Sequence, residues 1–60
     1  MIYKNESFGD SKYYMVVSDI WGNSEVIEYV NGCEKTKLSM NPEQASNFVS
    51  MLEKNNWVSS

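Results

Sequence analysis

The sequence predicts an α+β fold: a four-stranded antiparallel meander followed by one C-terminal amphipathic helix, in the order ββββα. Three observations predict it. Strand-forming runs recur between turn signals at Gly9-Asp10-Ser11, Gly22-Asn23 and Asn31-Gly32. Asn31-Gly32 is the strongest of these, because a type I′ hairpin turn needs positive φ at both central residues. Beyond it, Ala45, Phe48, Val49 and Leu52 repeat at i, i+3, i+4 and i+7, the spacing of one helix face.

A short first strand is expected within residues 2–8. The second, residues 13–21, is the most informative stretch, because Tyr13-Tyr14-Met15-Val16-Val17 is apolar on both faces. The third is expected over residues 25–30 and the fourth over residues 33–39. A two-residue loop at Asn31-Gly32 sets Val30 opposite Cys33, Glu28 opposite Lys35 and Ile27 opposite Thr36. A two-residue turn at Gly22-Asn23 carries that parity back to the second strand. One face then holds Tyr14, Val16, Ser18, Ile20, Ile27, Tyr29 and Leu38. The other holds Tyr13, Met15, Val17, Asp19, Trp21, Val26, Glu28, Val30, Cys33, Lys35 and Lys37.

The helix is expected from about Pro42 to Lys54. Asn41 suits the N-cap, Pro42 the first helical position, and Gln44 can reach back as in a capping box. Met40 and Ala45 occupy the hydrophobic-staple positions. Asn55-Asn56 ends the helix and Trp57 folds back. One amphipathic helix covers one sheet face, and the face carrying Tyr14, Val16, Ile20, Ile27, Tyr29 and Leu38 is its natural partner.

At 60 residues the chain is a single small domain, 1–60. Such a domain buries only about 60% of its unfolded surface and needs a staple. Cys33 is the single cysteine and there is no histidine, so neither an intrachain disulfide nor an ordinary zinc site is available. Oligomerisation, to a homodimer or higher, is the expected staple. The net charge is −3, with five lysines and no arginine. That balance disfavours duplex DNA and favours a partner protein with a basic surface. No apolar run approaches the roughly 18 residues of a membrane span, and the N-terminus lacks a signal-peptide core. The expectation is a cytoplasmic protein without membrane contact.

No catalytic constellation is visible, so the expectation is a non-enzymatic protein without a cofactor. The second sheet face is the candidate binding surface: Tyr13, Met15, Val17, Trp21, Val26 and Val30, with Lys35 and Lys37. The acids Asp10, Asp19, Glu25 and Glu28 are expected to meet the partner. Aromatics and methionine with a charged rim describe a protein interface. They also describe a self-association surface and, less well, a stacking platform for single-stranded nucleic acid. A further alternative is an oligomer acting directly on DNA through a cation held by Asp19 and Glu28. Against it stands the plain reading of these acids as solvated or lysine-paired.

The ββββα order, the Asn31-Gly32 hairpin and Leu38-Ser39-Met40-Asn41-Pro42-Glu43-Gln44 running from strand into helix resemble a known family. It is the single-stranded-DNA-binding domain of the positive-cofactor-four transcriptional coactivators. The resemblance covers the chain from Val26 onward. It implies the same fold, dimerisation, and DNA binding through basic strand residues, a role that here falls to Lys35 and Lys37. Similar minimal folds serve small phage-borne inhibitors, including anti-CRISPR proteins. Size, acidity and the lack of catalytic residues favour that second comparison. The leading expectation is therefore an oligomeric inhibitor of a host nucleic-acid-processing enzyme, borne by a phage or mobile element. The alternative is a coactivator-like binder of single strands.

Overall fold

The computed structural model describes residues 1–59. It contains β1 (Ile2–Asn5), β2 (Lys12–Ser18), β3 (Ser24–Val30), β4 (Cys33–Met40), α1 (Pro42–Lys54) and β5 (Trp57–Ser59). The predicted four-stranded antiparallel meander and the helix after it are present. The sheet gains a fifth strand, giving the order β4-β3-β2-β1-β5. Trp57 does more than fold back: it begins β5, which pairs antiparallel with β1 through Asn5↔Trp57 and Lys4↔Val58.

The helix forms where its signals lie. The Asn41 carboxamide oxygen accepts from Gln44 N at 2.8 Å, and Asn41 N donates to Gln44 Oε1 at 3.2 Å. This capping box satisfies two of the N–H groups that a helix start leaves unpaired. At the other end Asn56 takes a positive φ of 69° and turns the chain into β5. Asn5, buried in β1, donates from Nδ2 to the Asn55 carbonyl at 2.9 Å and accepts from Ser7 N at 2.9 Å. One side chain thus ties β1 to the helix C-terminus.

The core is small and off-centre. Tyr3, Leu52 and Trp57 form its buried cluster, with Tyr14, Val16, Phe48 and Val49 packed against it. The Tyr14 ring meets both Trp57 and Phe48 edge to face, at centroid distances of 5.0 and 5.5 Å. Phe8 stacks on Trp57 at 5.5 Å. These contacts place the helix and its aromatic layer over the β5, β1 and β2 side. Leu38 on β4 points to the same face, yet it stays 57% exposed.

Two sequence expectations about parity are corrected. The β2–β3 connection is not a two-residue turn at Gly22-Asn23. Ser18 pairs with Ser24, and the tip is the three residues Ile20, Trp21 and Gly22. Gly22 N donates to the Asp19 carbonyl at 3.3 Å, and Asp19 N to the Asn23 carbonyl at 2.9 Å. Gly22 has φ 86°, so this is a tight turn closed by a left-handed glycine. Changing the loop by an odd number of residues flips every side chain of β3 to the other face. Val26, Glu28 and Val30 therefore lie on the helix side, and Ile27 and Tyr29 on the open side. The second correction is a β-bulge opposite Glu28 and Tyr29. Val30 opposes Cys33 as expected, but Glu28 opposes Thr36, and Ile27 opposes Lys37. Lys35 is the extra residue, so the direct Glu28–Lys35 pair is not formed.

Candidate interaction surface

The sheet face away from the helix is built in rows across the strands. Lys4, Tyr13, Tyr29 and Glu34 form one row, and Ile2, Met15, Ile27 and Lys37 the next. Val17, Glu25 and Ser39 form the third, and Val58 extends the surface from β5 beside Lys4. Apolar side chains occupy the middle because β2 and β3 are rich in β-branched and aromatic residues at these alternate positions. Tyr13 and Tyr29 stack at 4.9 Å with their planes 11° apart, and the Lys4 ammonium sits 5.9 Å from the Tyr13 centroid.

Charge on this face is locally matched. Lys4 Nζ lies 2.8 Å from Asp10 Oδ1, and Lys37 Nζ lies 3.6 Å from Glu25 Oε1. The hydrogen bond and charge of Lys4 hold the Asp10 carboxyl below its ordinary pKa, and the same pair raises Lys4. Both lysines of the face are therefore neutralised in place.

At the end of β2 the loop 19–23 projects beyond the sheet. The Asp19 carboxylate accepts from Trp21 N at 2.9 Å and from Asn23 N at 3.0 Å. These bonds fix the tip from inside. They leave Ile20 and Trp21 at 88% and 77% exposure, the two most exposed large apolar side chains described. Beside the loop lies an open cleft of about 330 Å³, lined in part by Val17, Ser18, Asp19, Ser24, Glu25 and Ser39. Its wall mixes apolar surface with serine hydroxyls and the carboxylates of Asp19 and Glu25.

The expected site residues divide. Tyr13, Met15, Val17 and Lys37 lie on the open face as expected, and the corrected parity of β3 brings Glu25 there beside Val17. Trp21 belongs to the exposed surface, but from the loop tip rather than from the strand. Asp10 is exposed in the β1–β2 connection and bound to Lys4. Val26 and Val30 are corrected to the helix side, for the parity reason given above, and Val26 is buried. Glu28 is corrected likewise. Its Oε2 accepts from the Tyr14 hydroxyl at 3.0 Å and lies 3.4 Å from Lys12 Nζ. Burial opposes its charge, but the Tyr14 hydrogen bond and Lys12 outweigh that and lower its pKa. Lys35 is the extra residue of the bulge, and its charge further lowers the Glu28 pKa. Asp19 and Glu28 do not converge, because the Asp19 carboxylate is turned into its own loop. Among the described residues no group of three or more His, Cys, Asp or Glu side chains is placed to hold a metal ion.

Sequence reasoning missed Ile20, which it assigned to the core, and Tyr29, which it assigned to the helix face; Ile27 likewise moves to the open side but is buried there. The missed signal is Asp19 followed by Gly22. Asp at the first and Gly at the fourth position of a type I turn mark a longer hairpin tip.

Among the described residues no helix is long and apolar enough to cross a membrane. Compared with protein-family models, curated proteins and solved structures, the chain matches none.

Proposed function

We propose that the protein is a non-enzymatic interaction module that docks on a basic surface of a nucleic-acid-processing enzyme and inhibits it. The carrying observation is the loop 19–23, a hydrogen-bonded tip that presents Ile20 and Trp21 almost fully to solvent. A rigid, exposed tryptophan is a typical anchor of a protein interface. The chain's net charge of −3 suits a partner surface rich in lysine and arginine. A phage or mobile-element inhibitor is the concrete form of this reading.

A second reading has its own support. Tyr13 and Tyr29, with Lys4 and Lys37 on one exposed sheet face, make a small stacking platform for single strands. The acid paired with each lysine counts against it, since strand binding needs uncompensated positive charge.

The test is a cleavage assay with nucleic-acid-processing enzymes, RNA-guided nucleases first, run beside anisotropy of a labelled single-stranded oligonucleotide. Inhibition by the wild type that Trp21→Ala abolishes supports the proposal. Nanomolar oligonucleotide binding that falls steeply between about 50 and 200 mM salt replaces it with the second reading.

A further inference from the structure

We infer that two copies of this chain join through their β4 edges into one continuous antiparallel sheet, in a register set by the Lys35 bulge. β4 is a sheet edge, and Cys33 through Ser39 are exposed along its length. Long free edges recruit further strands, and a bulge normally blunts them. Here the bulge does something more specific. Cys33 shares the helix side with Val30, Thr36 with Glu28, and Leu38 with Val26. Glu34 shares the open side with Tyr29, and Lys37 with Ile27. Cys33, Glu34, Lys37 and Leu38 therefore read helix, open, open, helix around the bulge. That order is the same in both directions about the bond between Lys35 and Thr36.

A two-fold axis through the sheet requires opposite residues to share a face. In a regular strand only residues an even number apart can meet this condition. The bulge lets Glu34 and Lys37, three apart, face each other across the axis. Pairing about that axis sets Glu34 against Lys37 of the second copy, twice, and Cys33 against its Leu38, twice. Alternation along the ladder, counted from the two-residue hairpin, turns the backbone N–H and C=O groups of Glu34 and Lys37 away from β3. These are the groups a neighbouring strand needs. Shifting the register by one residue toward β4's end sets Glu34, on the open side, against Leu38, on the helix side, which the two-fold condition forbids. The paired register also covers Leu38, which the helix leaves exposed.

The experiment uses the full chain. Light scattering is expected to give twice the 6.9 kDa chain mass. Leu38→Cys, oxidised under mild conditions, is expected to form a covalent dimer through native Cys33, because directly opposed strand residues reach disulfide distance. Glu34→Lys or Lys37→Glu alone is expected to weaken the dimer about tenfold, and the double exchange to restore it. Circular dichroism checks that each variant folds. A folded monomer at high micromolar concentration overturns the inference. So does a dimer in which the Leu38→Cys chain stays uncoupled, since the contact then lies elsewhere. Failure here leaves the Trp21-dependent inhibition untouched, so the two proposals are separable.

Discussion

Tyr14 and Glu28 stand directly opposite each other on β2 and β3, and the Tyr14 hydroxyl donates to Glu28 Oε2 at 3.0 Å. This bond links the aromatic layer under the helix to the charged end of the same face. It also marks the parity of β3, because it forms only if Glu28 turns to the helix side.

Glu28 makes stability pH-dependent at the acid end. Its folded pKa lies below the ordinary value, so its contribution is complete above about pH 4.5 and is lost as pH falls through the folded value. Glu28→Gln is expected to flatten the decline of the urea midpoint between about pH 5 and pH 3. Tyr14→Phe is expected to cost about 1 kcal/mol at neutral pH by removing the hydrogen bond. At the alkaline end burial and Glu28 raise the Tyr14 pKa. Its contribution is present below the ordinary tyrosine range and fades as pH rises through the folded value. Urea titrations across both ranges check each sign.

Trp57 is the keystone of the small core. It is buried, begins β5, and contacts Tyr14 and Phe8 through their rings. Truncation of a buried tryptophan costs about 3–5 kcal/mol. A core of this size supplies roughly that much in total. Trp57→Ala is therefore expected to be unfolded, and Trp57→Phe folded with a lower midpoint. Far-UV circular dichroism with thermal melts separates the two outcomes.

The helix start is a local contribution. Asn41→Ala removes the side-chain acceptor for Gln44 N, and the expected loss is about 1 kcal/mol. Asn41→Asp keeps the acceptor and is expected to be neutral. Urea denaturation with unchanged slope is the measurement.

The two tryptophans separate the proposed docking from stability. Trp21→Ala is expected to leave stability within about 0.5 kcal/mol, because that side chain is largely in water. It is expected to abolish partner inhibition. Acrylamide is expected to quench Trp21 strongly and Trp57 weakly, which two single-tryptophan variants, Trp57→Phe and Trp21→Phe, can show. Strong protection of Trp21 in the free chain contradicts the exposed tip.

The sequence by itself determined the local elements. Asn41, Pro42 and Gln44 define a helix start through short-range hydrogen bonds, and Asn31-Gly32 defines a hairpin through backbone sterics. The alternation in Tyr13 to Val17 assigned those residues to their faces correctly. Tertiary structure decided what depends on counting across turns. Strand parity has a period of two, so a three-residue tip in place of a two-residue turn moved Val26, Glu28 and Val30 to the helix side, and Ile27 and Tyr29 to the open one. The bulge at Lys35 and the pairing of β5 with β1 were likewise illegible. Both are settled by contacts between residues far apart in the chain, where no local propensity acts. The open face was therefore readable as a surface, while part of its membership, and the exposure of Ile20, waited on the fold.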